Sequence, residues 1–154
     1  MHERRLPAQA RTHRLKVRVY YEDTDAAGLV YHARYLHFME RARTEMLREA
    51  GGDHPRLWAE EGLGFAVRRV AIDFLRPARL DDLLAVETAM TGSTGARLEL
   101  RQRVLRGDEV VADASLTLVC IDRAGRARRI PASLVGAFSK GCLNSTEGAH
   151  GNPD

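Results

Sequence analysis

The residues best suited to chemistry lie together between positions 20 and 35 of the 154-residue chain. Three carboxylates fall within four positions at the end of a segment rich in β-branched and aromatic residues, and they belong to Glu22, Asp23 and Asp25. Gly28 follows, and glycine can take backbone angles that let a chain turn sharply or approach a ligand. His32 then stands just before a long amphipathic pattern, where the unpaired N–H groups and the positive end of a helix dipole collect.

These groups match the two requirements of acyl transfer. The N–H groups at a helix start can polarise a carbonyl, while a nearby carboxylate attacks that carbonyl or activates a water molecule. The spacing therefore predicts the hydrolysis of an activated ester. A structural alternative stays open, in which Asp23 and Asp25 form turns by hydrogen bonding to their own backbone and His32 only caps or packs.

A strand and a long helix must position this stretch. Residues 15–21 alternate apolar and polar side chains, which indicates a half-buried strand. Tyr20 breaks the alternation, as it would if this strand end were covered. Residues 33–50 carry one apolar stripe at helical spacing, and two glycines at 51 and 52 end the pattern. This stripe must be buried against the strands that follow.

The rest of the chain predicts mainly strands. A short helical segment at 54–61 precedes them, and a short helix at 133–138 follows them. Four strands are indicated, at 65–75, 83–90, 98–105 and 110–121. The turns that join them are too short for crossover helices, so neighbouring strands must be antiparallel. The predicted fold class is therefore α+β, with an antiparallel β-sheet wrapped around one long central α-helix.

The central stretch also resembles a known family. Residues 21–32, YEDTDAAGLVYH, continue into Tyr35 and into residues 40–47, ERARTEML. This pattern resembles the signature of the hotdog-fold acyl-CoA thioesterases of the 4-hydroxybenzoyl-CoA thioesterase type, and within them it is most similar to the bacterial thioesterases associated with the Tol-Pal envelope system. The similarity extends from about residue 15 to residue 138 without a large insertion. It implies the hotdog fold and the hydrolysis of acyl-CoA to a free acid and coenzyme A.

The resemblance also implies roles for individual residues. Asp25 matches the catalytic carboxylate, which acts either as a nucleophile on the thioester carbonyl or as a general base on water. Tyr21 would hold water or the carboxylate, and His32 would orient the substrate while its backbone N–H polarises the carbonyl. Contacts with the substrate are expected from Gly28, Tyr31 and Tyr35. Asp23 is expected to have a structural role in the turn.

Composition fits one soluble globular domain. Hydrophobic residues make up 44% and charged residues 29% of the chain, and no apolar run approaches the ~20 residues of a membrane span. We expect a disordered arm at 1–13, a hotdog thioesterase domain at 14–139 and a disordered tail at 140–154. The first residues lack the apolar core of a secretory signal, which predicts a cytoplasmic location without stable membrane insertion.

No cofactor is needed for thioester hydrolysis, because a thiolate leaves with little protonation. No metal site is predicted either, since four histidines lack companions at ligand spacing: His2, His13, His54 and His150. The net charge is +3, but the sequence contains no nucleic-acid-binding motif, so no nucleic-acid partner is expected. One basic turn could bind the phosphates of coenzyme A or could be a solvated loop, and its arginines are Arg123, Arg126, Arg128 and Arg129.

The expected substrate is acyl-CoA or a thioester of acyl carrier protein. Exposed sheet edges favour pairing with a second copy, and the resemblance implies a homodimer or homotetramer with sites at subunit interfaces. Two alternatives to the thioesterase stay open. One is a hotdog-fold hydratase acting on acyl thioesters, and the other is a binding or scaffold protein of the cell envelope or of lipid synthesis.

Overall fold

A computed structural model describes residues 12–139 of the chain. Five strands form its sheet: β1 His13–Arg18, β2 Gly64–Phe74, β3 Leu83–Thr94, β4 Arg97–Arg106 and β5 Glu109–Ile121. Three helices accompany the sheet: α1 His32–Glu49, α2 His54–Arg56 and α3 Ala132–Ser139. A 3₁₀ turn at Tyr21–Asp23 precedes α1, and a π-helical turn at Leu57–Glu61 extends α2. Within residues 12–139, no helix is both long and apolar enough to cross a membrane.

The five strands form one antiparallel sheet in the order β1-β3-β4-β5-β2. This arrangement confirms the α+β class predicted from the short connections. The last four strands account for most of the sheet, and β2 reaches its place by pairing with β5, so that Phe65 lies opposite Cys120 and Phe74 opposite Ala112. Among the described strands, β1 and β2 are therefore the two at the edges of the sheet.

Helix α1 packs its apolar stripe onto the sheet. Its buried residues repeat at helical spacing, and they are Tyr35, Phe38, Met39, Ala42, Met46 and Leu47. They meet fully buried side chains of the strands, among them Leu84, Val86, Leu98 and Leu100. Burying one large apolar side chain contributes about 1.5–3 kcal/mol, so this interface holds the helix firmly on the sheet.

A buried polar group ties the same helix to the sheet. The amide nitrogen of Gln102 donates to the carbonyl oxygen of Met39 at 3.0 Å and to Oγ1 of Thr88 at 2.8 Å. Its amide oxygen accepts from Nη1 of Arg43 at 3.0 Å. Gln102 is fully buried, and a buried amide that is satisfied in this way fixes the position of the helix along the strands.

The first strand differs from its prediction at both ends. It begins at His13, inside the predicted arm at 1–13, because the buried ring of His13 packs into the protein with Nε2 3.4 Å from Glu49. It ends at Arg18, before the predicted end at 21, because Asp23 draws the backbone N–H of Tyr20 into the 3₁₀ turn. Tyr20 is 62% exposed in the single protomer rather than covered. The predicted arm at 1–11 and tail at 140–154 lie outside the described residues.

Candidate active site

The carboxylate-rich stretch folds into a small hairpin between the 3₁₀ turn and α1. Thr24 pairs with Val30, and the N–H of Asp25 donates to the carbonyl oxygen of Leu29 at 2.8 Å. The N–H of Gly28 donates to the carbonyl oxygen of Asp25 at 3.0 Å, with φ of Gly28 at +76°. A Cβ at Gly28 would meet no atom within 4 Å, so the backbone angle rather than crowding within the protomer requires glycine here.

The hairpin is attached to the segment that joins β2 to β3. The N–H of Val30 donates to the carbonyl oxygen of Ala78 at 2.8 Å, and Leu29 pairs with Arg79 in an isolated antiparallel bridge. Ala78 is fully buried. The carboxylate loop is therefore supported by a second loop that lies far from it in sequence.

An ion-pair network fixes that supporting loop in turn. Nη1 of Arg106 lies 2.9 Å from Oδ2 of Asp82 and also donates to the carbonyl oxygen of Pro77, while Nη2 donates to Glu109 at 2.6 Å. Oδ2 of Asp82 also accepts from the N–H of Arg79. Partial burial acts to raise the pKa of Asp82, but the hydrogen bonds from Arg106 and Arg79 outweigh it and hold this pKa below its ordinary value.

Asp25 uses one carboxylate oxygen in the hairpin and leaves the other free. Oδ1 accepts from the N–H of Ala27 at 2.8 Å and from the N–H of Leu29 at 3.2 Å. Within the described part of the chain, Oδ2 has no hydrogen-bond partner, and the side chain is exposed. The turn-forming alternative and the chemical role are thus compatible, because the turn orients the carboxylate and leaves one oxygen available.

The start of α1 is left without a cap. Tyr31 occupies the N-cap position without a side-chain cap, and its own N–H donates to the carbonyl oxygen of Asp23 at 2.9 Å. Among residues 12–139, the N–H groups of His32 and Ala33 have no recorded acceptor, and the first turn holds no acidic side chain. These N–H groups and the positive end of the helix dipole can therefore receive a carbonyl oxygen.

Aromatic side chains surround the helix start. The ring of His32 lies 4.6 Å from that of Tyr31 and 6.2 Å from that of Phe74, measured between centroids. Tyr35 is buried and lies 5.5 Å from Phe74, and its burial raises the pKa of its hydroxyl against the opposing hydrogen bond from the backbone of Ala78. The sequence does not predict Phe74 as a site residue. The one signal that could have indicated it is its position at the end of a strand.

Tyr21 stands apart from this cluster. It is 82% exposed, and the described residues give its ring no aromatic contact. Its carbonyl oxygen accepts from the N–H and from Oγ1 of Thr24. Asp23, by contrast, is buried, accepts from the N–H of Tyr20 at 2.9 Å and lies 3.7 Å from Nε of Arg34, which agrees with the structural role expected for it.

Two of the four arginines in the basic turn are engaged within the protomer. Arg123 donates to the carbonyl oxygen of Trp58 at 2.8 Å, and its guanidinium lies over the indole ring at 5.9 Å. Arg128 forms an ion pair with Asp122 at 2.8 Å. Arg126 and Arg129 are exposed, and no side-chain partner is recorded for them within the described range. Binding of phosphates at this turn would therefore rely first on these two residues.

The part of the chain that the structure describes contains no group of three or more His, Cys, Asp or Glu side chains placed to hold a metal ion. His54 instead lines a cavity together with Glu40 and Arg43 of α1. Its pKa is lowered by burial and by the charge of Arg43, against the opposing charges of Glu40 and Asp53.

Comparisons with known proteins identify related sequences. The model of the thioesterase-like superfamily matches residues 19–138. The acyl-CoA thioesterase YbgC of Haemophilus influenzae is 50% identical over 106 residues, which cover 69% of this chain and 78% of that protein. The acyl-CoA thioester hydrolase YbgC of Escherichia coli O6:H1 is 43% identical, covering 82% of this chain and 96% of that protein.

Solved structures show the same architecture. The crystal structure of a probable thioesterase from Bartonella henselae superposes with a TM-score of 0.76 at 41% identity, covering 78% of this chain and 99% of that one. The match to this structure therefore spans most of the sequence and includes the helix and the antiparallel sheet. The chain belongs to the thioesterase-like superfamily and has the hotdog fold.

Proposed function

We propose that this protein hydrolyses acyl-CoA thioesters to a free acid and coenzyme A. One observation carries the proposal: the free oxygen of Asp25 lies on an anchored hairpin that leads directly into the uncapped start of α1. The relatives named as acyl-CoA thioesterases support it, since they match most of the chain. They also favour hydrolysis over hydration of the acyl group.

The arrangement suggests how the reaction proceeds. The thioester oxygen would accept from the N–H groups of His32 and Ala33, which stabilise the negative charge that develops on it. In one route, Oδ2 of Asp25 bonds to the acyl carbon, the C–S bond breaks with loss of the thiolate, and water then cleaves the mixed anhydride. In the other route, Asp25 takes a proton from water as that water attacks the acyl carbon.

A thiol-release assay tests the proposal directly. The protein would be given acyl-CoA thioesters from acetyl to palmitoyl, benzoyl-CoA, and an acyl carrier protein thioester. We expect release of free thiol in step with loss of the thioester, and the fastest member of the panel identifies the preferred acyl group. Consumption of an acyl-CoA without thiol release would contradict the proposal and indicate chemistry on the acyl chain instead.

The active unit is proposed to be a homodimer paired through β2. Among the strands that the structure describes, β2 is an edge of the sheet. Apolar side chains are exposed along it and just after it, and they are Val67, Val70 and Phe74 in the strand and Leu75 at the next position. Edge strands of this kind pair readily with another copy. A two-fold axis makes the two β2 strands antiparallel, so the Phe74 end of one would approach the Gly64 end of the other.

Such pairing would enclose the exposed hairpin. Phe74 touches both His32 and Tyr35, so covering Phe74 also covers the start of α1. Fewer water molecules would then surround the reacting carbonyl. Because the local dielectric constant falls, the hydrogen bonds from the N–H groups to that carbonyl become stronger. The ring of Tyr21 is exposed and has no aromatic contact among residues 12–139, so it would be available to contact substrate or the second copy. Assembly into a tetramer stays a prediction.

A further inference from the structure

A cavity lies between the latter half of α1 and the sheet, and neither Asp25 nor His32 of the same protomer lines it. Its volume is about 470 Å³, within the range of about 300–1,000 Å³ that is usual for small-molecule sites. Arg43, on its wall, follows His32 by eleven residues, which is about 16 Å along a helix axis. Much of its lining is apolar, and this part is formed chiefly by Leu47, Phe65, Leu98, Leu118 and Phe138.

The rest of the lining is polar, and Arg43 supplies its positive charge. Nη1 of Arg43 donates to Gln102, and within residues 12–139 no carboxylate forms an ion pair with this guanidinium. A guanidinium has five N–H donors, so most of its hydrogen-bonding capacity is unused. Burial lowers the pKa of Arg43 and the charge of Glu40 acts against this effect, which shows a cation held partly out of water.

The remaining polar groups do not neutralise that cation. Glu40 lines the cavity but is exposed, so solvent screens its charge, and it makes no ion pair with Arg43. His54 lines the cavity too, and because burial and Arg43 lower its pKa, its ring is neutral at pH 7 and able to donate a hydrogen bond. Thr44 adds a hydroxyl. The polar wall therefore favours an anion.

We propose that this cavity binds carboxylates that carry an apolar tail, with Arg43 holding the carboxylate and the apolar wall receiving the tail. The planar guanidinium matches the two oxygens of a carboxylate, and each methylene on an apolar wall adds about fourfold in affinity. Two sources have this chemistry. One is a free fatty acid, the product class of the proposed hydrolysis, and the other is the far end of an acyl group that bears a terminal carboxylate.

Calorimetry on the full chain tests the proposal with three probes. Octanoate carries charge and tail, 1-octanol carries the tail alone, and acetate carries the charge alone. We expect octanoate to bind at least about tenfold more tightly than 1-octanol, because a carboxylate held by an arginine gains a charge-assisted hydrogen bond that an alcohol lacks. Acetate should bind too weakly to measure. Equal affinities of octanoate and 1-octanol for the parent protein would overturn the proposal.

Variants of one helix locate the effect. Arg43→Gln should reduce the affinity for octanoate to that for 1-octanol, while Arg43→Lys should keep part of the preference. Arg41→Gln is the matched control, because Arg41 lies on the same helix but does not line this cavity, and it should bind octanoate like the parent. An Arg43→Gln protein that keeps the full preference would also overturn the proposal. If that variant does not fold, the affinities of the parent protein for octanoate and 1-octanol still test the proposal.

The two sources are separated by hydrolysis of octanoyl-CoA and of suberoyl-CoA, whose acyl group ends in a carboxylate. If Arg43→Gln slows suberoyl-CoA more than octanoyl-CoA, the site receives the end of the substrate. If both thioesters respond alike while octanoate binding is lost, the site receives the free acid. The affinity for octanoate does not depend on catalysis and can be measured with the Asp25→Asn protein. The proposed carboxylate site would therefore stand even if the protein did not hydrolyse acyl-CoA.

Discussion

At the scale of single residues, the site depends on how the two oxygens of Asp25 are used. One oxygen is bonded to two N–H groups of its own hairpin, and the other has no partner among the described residues. A carboxylate that is hydrogen-bonded at one oxygen has a fixed orientation, and its second oxygen can still react. The same preorganisation applies to the N–H groups of α1, which need no rearrangement to receive a carbonyl oxygen.

Asp25→Asn should abolish most hydrolysis and leave the fold unchanged. The amide oxygen of asparagine can still accept from the N–H groups of Ala27 and Leu29, so the hairpin keeps its shape. The amide cannot act as a nucleophile or a base, and we expect kcat to fall by at least about 100-fold. Thiol release measures the loss, and circular dichroism checks the fold. Glu22→Gln, which changes an exposed carboxylate nearby, should keep kcat, whereas an unchanged kcat in Asp25→Asn would exclude this residue.

His32→Ala should cause a smaller loss, of about tenfold in kcat/KM. The backbone N–H that polarises the carbonyl stays in place, while the ring contacts with Tyr31 and Phe74 disappear. His37→Ala, on the exposed flank of the same helix, provides the comparison. A parent-like kcat/KM in His32→Ala would limit the histidine to a packing role.

Much of the residue-scale picture could be predicted because it is local in sequence. Asp25, Gly28 and His32 fall within eight positions, and one hairpin suffices to collect them. Phe74 could not be predicted in the same way, since its contact with His32 spans more than forty residues and depends on where β2 ends. The pairing of Arg43 with Gln102 likewise depends on tertiary structure, as the two are 59 residues apart.

At the scale of elements, the hairpin is only as rigid as the loop beneath it. The segment between β2 and β3 binds the carboxylate hairpin through a hydrogen bond to the carbonyl oxygen of Ala78. Arg106 in turn binds that segment to the turn between β4 and β5. Sequence periodicity locates strands and helices but does not reveal such support between loops. It also placed the end of β1 too late, because the hydrogen bond from Tyr20 to Asp23 overrides the β-propensity of the tyrosines.

Asp82→Asn should destabilise the protein by about 1–2 kcal/mol at pH 7, because it weakens a charge-assisted hydrogen bond to Arg106. The pKa of Asp82 is lowered in the folded state, so its contribution is complete above the ordinary value of 3.8 and is lost as pH falls through the lower folded value. Urea unfolding at pH 7 and at pH 3 should therefore show a smaller difference between parent and variant in acid. Asp108→Asn, at an exposed turn, is the control. A difference that does not shrink in acid would contradict the assignment.

At the scale of the whole molecule, the strand order leaves β2 with a free edge and an uncovered apolar surface. Individual strands can be predicted from alternating side chains, but their order in the sheet cannot. Rules of adjacency would place β2 beside β1 or β3, and it lies instead beside β5. The long segment that contains α1 and α2 separates β2 from β1 and allows this crossing.

Val70→Lys should convert the proposed dimer to a monomer and strongly reduce hydrolysis, because it places a charge in the middle of the apolar edge. Sedimentation equilibrium measures the mass, and thiol release measures the activity. Arg41→Glu changes an exposed charge on α1 and should leave both unchanged. A dimeric Val70→Lys protein would show that copies meet at another surface, and a fully active monomer would show that one chain completes the site.

The opposite edge of the sheet gives the assembly a natural stop. When two copies join through β2, both outer borders of the shared ten-stranded sheet are β1, and each presents the exposed cations Arg14, Lys16 and Arg18. Like charges facing each other across such a border repel, which discourages a third copy from adding to the row. The protein can thus use one edge strand to pair with its partner without forming extended fibres.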